Sequence, residues 1–123
     1  MLGTVDAAAA LAELTDISPQ IRRVVVVGAD GEIVGSNAPD GDSATRLAER
    51  GLRLAVEADG VRGSHVAQLE AATGEGSVFV VRDDERTIIA TTRAEPTVGL
   101  VFYDLKTALR AIGGRESELD ASA

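Results

Sequence analysis

Cysteine and tryptophan are both absent from the 123-residue chain. Without cysteine there is no disulfide framework, no thiolate nucleophile and no thiolate metal site. A single histidine, His65, cannot build a histidine-rich zinc centre. Three aromatic side chains, Phe79, Phe102 and Tyr103, leave almost no platform on which single-stranded bases could stack. Positive charge is also scarce. Twelve basic residues face 20 acidic ones, for a net charge of −8, and the basic residues form no stripe along the sequence. Such a chain repels phosphate backbones and anionic bilayer surfaces, so neither nucleic acid nor membrane is an expected partner. No apolar run approaches the roughly 20 residues that span a bilayer. The segment from Met1 to Ala12 has no basic start and carries Asp6, so it does not read as a signal peptide. The expectation is a cytoplasmic, soluble domain.

The residues that are present describe an ordinary globular balance, 45% hydrophobic and 26% charged. The length suits one domain. With so few aromatics, its core must be built from Val, Ala, Leu and Ile. Lys106 is the only lysine beside eleven arginines. That bias, with the richness in Ala, Val and Gly, suggests a GC-rich bacterial source.

The pattern along the chain predicts eight elements. Residues 4–15 combine strong helix formers with Leu11 and Leu14 on one face, and Ser18-Pro19 stops them. The β-branched run Ile21–Val27 reads as a strand, Gly28–Gly31 as a turn, and Glu32–Ser36 as the return strand of a hairpin. Asp42 or Ser43 is the expected cap of a helix running to about Ala58, which Asp59-Gly60 should stop. Ser64–Glu70, Ser77–Arg82 and Arg86–Thr92 read as strands. Pro96 opens a last helix that should end at Gly113-Gly114. The order is α-ββ-α-βββ-α, an α+β sandwich with a five-stranded, mostly antiparallel sheet covered by helices on at least one face. Residues 1–114 form the predicted domain, and 115–123 a mobile polar tail.

Motifs that would carry chemistry fail on spacing. The run Val24–Gly31 resembles the start of a dinucleotide-binding unit, but Gly28, Gly31 and Gly35 are wrongly spaced and lead into a strand rather than a helix. No Gly-Lys-Ser/Thr occurs, which excludes a P-loop. Asp40-Gly41-Asp42 lacks the other ligands of a calcium loop and serves capping. Asp83-Asp84-Glu85 reads as a solvated hairpin tip. His65 has no nucleophile partner in a recognisable motif, and no serine sits in a nucleophile elbow. Neither enzymatic chemistry nor a metal or cofactor is expected.

The helices hold the remaining information. The last one places Val98, Val101, Phe102, Leu105, Ala108, Leu109 and Ile112 on one stripe, as a core helix does. In the middle helix, Ala44, Leu47, Ala48, Gly51, Leu54, Ala55 and Ala58 make a small-residue stripe. Leu52 and Val56 lie beyond its edge. Either these two are scattered surface residues, or the helix touches both its own sheet and a second chain. A mean hydropathy of +0.09 in so small a chain favours sharing. The polar strip Arg46, Glu49, Arg50, Arg53 and Glu57 is either a solvated face or a contact for a partner.

Taken together, several stretches resemble the Roadblock family, the dynein light-chain-like regulators of small Ras-like GTPases. They are Ile21–Ser36 (IRRVVVVGADGEIVGS) with its Asp-Gly turn, the Asp42–Ala58 helix with Leu47-Ala48, and the paired strands Ser77–Arg82 and Arg86–Thr92. The last is Val98-Gly99-Leu100-Val101 with Tyr103 shortly after. The resemblance covers about residues 5–112. It implies a homodimer in which the middle helix and third strand meet their counterparts, through Leu52, Val56, Val66 and Gln68. It also implies a small Ras-like GTPase as partner, whose hydrolysis or localisation is modulated without a catalytic residue from this chain; the polar strip Arg46, Glu49, Arg50, Arg53 and Glu57 is then the expected contact. The sequence departs from the family pattern at Gly51, expected to loosen the helix, and in the polar third strand HVAQLE. Independently of the resemblance, a small-ligand sensor of profilin-like or PAS-like shape remains open, and so does a purely structural adaptor. A sensor needs a pocket of about 300 Å³ or more between sheet and helix.

Overall fold

The computed structural model describes residues 7–122, with side chains through Ile112. The elements are α1 (Ala7–Ile17), β1 (Ile21–Gly28), β2 (Ile33–Ser36), α2 (Gly41–Arg62), β3 (Gln68–Ala72), β4 (Ser77–Arg82), β5 (Arg86–Thr92) and α3 (Val98–Ser122). The start of α1 at residue 4 and the tail residue Ala123 lie outside the described residues. The five strands form one sheet in the order β2-β1-β5-β4-β3, antiparallel throughout.

Four successive valines, Val24–Val27, are all buried because helices cover both faces of the sheet. Val24 and Val26 join Phe79, Val81, Ile88 and Ala90 beneath α1 and α3. Val25 and Val27 join Val80 and Ile89 beneath α2. Burial of each such side chain stabilises the fold by roughly 1.5–3 kcal/mol, which makes this three-layer packing the main source of stability. On the α3 side, Phe79 and Phe102 meet edge to face with ring centroids 5.0 Å apart. Two of the chain's three aromatics thus sit in one contact. At the β2 edge, Asn37 prolongs the pairing with β1. Its Oδ1 accepts from Val24 N at 2.7 Å and its Nδ2 donates to Arg22 O at 3.0 Å.

Several boundaries differ from the sequence expectation. The cap of α2 is Asp40, not Asp42 or Ser43. Asp40 is extended, and its carboxylate accepts from Ser43 N at 2.7 Å. That bond holds the Asp40 carboxyl below its ordinary range. At the other end, α2 passes through Asp59-Gly60 and stops at Gly63. There a left-handed φ of 72° lets the Gly63 N–H donate to Asp59 O. The added turn moves the third strand to Gln68–Ala72, so Ser64–Ala67 is a connection. The backbone of α3 likewise continues through Gly113-Gly114 to Ser122. Each glycine costs a helix only about 1 kcal/mol relative to alanine, and the helix formers that follow tolerate that.

Gly51 does not loosen α2; it lets the helix approach the sheet. A Cβ at this position would stand 2.6 Å from three carbons of Ile89 in the centre of β5. Ala44, Ala48 and Ala55 complete the same thin contact face. Gly51→Ala should therefore lower stability by about 1–3 kcal/mol through overpacking, although alanine is the better helix former. Urea unfolding measures this, and Ile89→Val in the same chain should recover part of the loss. A more stable Gly51→Ala chain would contradict the close approach.

Candidate interaction surface

With its small residues on the sheet, α2 presents two flanks and a solvent face. At 100° per residue, Leu52 and Val56 lie on one flank, while Leu47, Arg50 and Leu54 lie on the other. Leu52 is half-buried and packs against the core beneath α2, as does Leu69 of β3. Val56 is 65% exposed. β3 pairs only with β4, so its outer edge carries unpaired backbone groups.

The opposite flank borders a groove of about 450 Å³. Its floor is one row across the sheet, Arg23 of β1, Thr91 of β5 and Val78 of β4, which are successive cross-strand neighbours. Arg46 and Arg50 stand on its helical wall.

Below Val56, the end of α2 is clasped to the sheet. Arg82, the last residue of β4, donates from Nη2 to Asp59 Oδ1 at 2.5 Å. The same oxygen accepts from Val66 N at 2.7 Å. Arg82 also donates from Nε to Val66 O at 2.8 Å, so both backbone groups of Val66 are held. Sequence reasoning took Asp59 for a helix stop and missed this pair, because 23 residues separate the partners and only the sheet brings them together. Among the described residues, no group of three or more His, Asp or Glu side chains could hold a metal ion. No helix among them is long and apolar enough to cross a membrane.

No protein-family model and no curated protein matches the sequence. Solved structures do match. A Roadblock/LC7 domain from Streptomyces avermitilis superposes with a TM-score of 0.76 at 18% identity, over 90% of this chain and 96% of its own. The gliding protein MglB from Thermus thermophilus gives 0.74 at 15% identity, over 92% and 90% of the two chains. Myxococcus xanthus MglB gives 0.70 at 15%, over 95% and 89%. The chain has the Roadblock/LC7 fold.

Within this Roadblock/LC7 fold, the residues picked from the sequence fall into separate places. Leu52 and Val56 share the flank of α2 that lies away from the groove. Val66 lies before β3, with its backbone held in the Asp59–Arg82 clasp. Gln68 opens β3 opposite Val81, a residue of the core beneath α1 and α3. Its side chain therefore belongs to the other side of the sheet from α2. The β3 residues facing the α2 side are Leu69 and Ala71, paired with Val80 and Val78. The strand begins at Gln68 rather than Ser64, which leaves Val66 in the preceding connection. Of the polar strip, Arg46 and Arg50 border the groove, while Glu49, Arg53 and Glu57 stand in solvent.

The hydrogen bond from Arg82, followed by that from Val66 N–H, holds the Asp59 carboxyl below its ordinary value of 3.8. Its contribution is complete above that ordinary value and disappears as pH falls through the lowered one. Asp59→Asn should therefore lower Tm at neutral pH, and the gap to wild type should narrow in acid. Melting curves between pH of about 7 and about 2.5 measure it, and a gap that stays constant would exclude the clasp as its source.

Proposed function

We propose that the protein is a non-enzymatic homodimeric regulator or scaffold of a small Ras-like GTPase, acting in the cytoplasm and modulating the partner's hydrolysis or localisation. The observations that carry this reading are the unpaired outer edge of β3 and the exposed apolar Val56 on α2, on a fold shared with MglB and other Roadblock/LC7 domains. A second copy related by a two-fold axis would cover both features at once. It would set Leu52 and Val56 against their counterparts and join the two β3 edges, with Leu69 and Ala71 beneath. One solved MglB structure has a tetrameric arrangement, which supports self-association on this fold. Gln68 contributes through its strand backbone at that edge, and Val66 through the held loop that precedes it.

The GTPase contact is the solvent face of α2. Glu49, Arg53 and Glu57 are spaced four apart and alternate in charge there. Arg46 and Arg50 lie at its border with the groove. Directional guanidinium hydrogen bonds suit a surface that must recognise one partner and release it. A small Roadblock/LC7 domain without catalytic groups can act by holding the GTPase's own residues in place.

Light scattering across concentration tests the dimer. The chain should run at twice its own mass, and Val56→Glu should reduce it to a monomer with an unchanged circular dichroism spectrum. Val56 is the cleaner position, since its exposure in the single chain makes a charge there harmless until a partner buries it. Leu52→Glu should break the dimer and also destabilise the protomer. A monomer at every concentration would overturn the homodimer. For the partner, the Ras-like GTPase encoded nearby should be retained on the immobilised protein in at least one nucleotide state. Arg53→Glu combined with Glu57→Arg should abolish retention. Absence of retention and of any change in hydrolysis rate would remove the regulatory reading.

A further inference from the structure

The helix layer on the far side of the sheet from α2 leaves apolar side chains uncovered. α1 lies over β1 and β2, α3 lies over β5 and β4, and the two helices pack side by side. The end of α1 sits beside the start of α3, where Gln20 Oε1 accepts from Thr97 N at 2.6 Å. Ile17 in the last turn of α1, and Leu100 and Tyr103 in the opening turns of α3, are all exposed. Asp104 follows Leu100 by one turn on the same side of α3. The opposite side carries Lys106, Leu109 and Arg110, which line a hollow with Gln68 of β3 and Val81 of β4. Asp104 and Leu100 are therefore on the side of α1. Asp104 is only 7% exposed. Among the described residues its carboxylate accepts no hydrogen bond and joins no ion pair. Its oxygens still touch solvent: the buried side-chain atom that is both sealed and unpartnered there is Ser18 Oγ, not an oxygen of Asp104. α1 contains no basic residue, and its exposed charges are Glu13 and Asp16.

We propose that the α1–α3 seam docks an amphipathic helix of a partner protein, whose apolar side chains cover Ile17, Leu100 and Tyr103 and whose Arg or Lys reaches Asp104. A carboxylate withdrawn from water without a counter-charge is costly, and an incoming cation removes that cost. A planar guanidinium suits the position best, because it can bond both carboxylate oxygens at once. Glu13 and Asp16 extend the acidic character along the rim, and the side of α3 that faces α1 has no basic residue among the described ones. Two helices side by side form a groove that a third helix fills with residues three or four apart. A second copy is the less suited occupant, since a two-fold contact here would bring like carboxylates together. The seam lies across the sheet from α2, so neither the dimer nor the GTPase contact proposed above covers it, and it stands without either.

Panning a helical peptide library, randomised along one face, on the immobilised full chain tests this, with amide NMR of the isotope-labelled chain locating the selected peptides. They should carry an Arg or Lys with apolar residues three or four positions away. They should shift the amides of Ile17, Leu100, Tyr103 and Asp104 to saturation. Asp104→Asn should weaken such a peptide about tenfold or more without lowering Tm, because the amide keeps the volume and removes a charge withdrawn from water. Replacing the peptide's cation by Gln should cost as much against the wild-type chain and little against Asp104→Asn. Leu100→Ala and Tyr103→Ala should weaken binding with Tm unchanged, since both side chains are exposed. Equal binding to wild type and to Asp104→Asn would overturn the role of the carboxylate. Selected peptides that shift only α2 or β3 amides, or a library that yields none, would overturn the site. A fall in the solution mass of the chain on Tyr103→Glu would overturn it in favour of a second copy.

Discussion

The height at which α2 rides above the sheet is set where Gly51 meets Ile89, and the functional surfaces follow from that height. A side chain at position 51 would lift the helix. With Ala44, Ala48 and Ala55 alone between backbone and strands, α2 sits low enough that Leu47, Leu52 and Leu54 flank the contact rather than filling it. The core beneath α2 is thin, and larger apolar side chains are displaced outward. Their displacement leaves one flank greasy and makes the other the wall of a groove over β1, β5 and β4.

Charge is distributed on the same plan. The two ends of α2 are fixed by carboxylates with defined tasks, Asp40 at the cap and Asp59 in the clasp with Arg82. Both are held ionised by the hydrogen bonds they accept. Along the helix between them, the arginines near the N-terminal half lack such partners. A helix anchored at both ends by acid–donor contacts is thus free to present its middle to other molecules.

Much of the fold was legible because strand alternation and helix periodicity are local signals. The valine run of β1, the hairpin at Gly28–Gly31 and the stripe of α3 all match the observed elements. Boundaries were less legible where two stops compete. Asp59-Gly60 carries the local signature of a helix end, but Gly63 supplies the left-handed residue that closes α2, while Asp59 stays helical to reach Arg82. That one extra turn moved β3 downstream, which placed Val66 outside the strand. Gly51 was misjudged for a related reason: propensity sees only the cost of glycine in a helix, whereas packing sees the Ile89 side chain beneath it.

The sequence by itself determined the element order, the antiparallel sheet and the lack of catalytic motifs. Each of these follows from the spacing of neighbouring residues and from composition. The tertiary structure decided which residues share a surface. Arg23 joins Arg46 and Arg50 only because β1 runs beneath the α2 flank, and Asp59 finds Arg82 only because β4 ends beside the last turns of the helix. Such contacts depend on sheet register and on the height of a packed helix, which are properties of the whole chain's burial rather than of any local pattern.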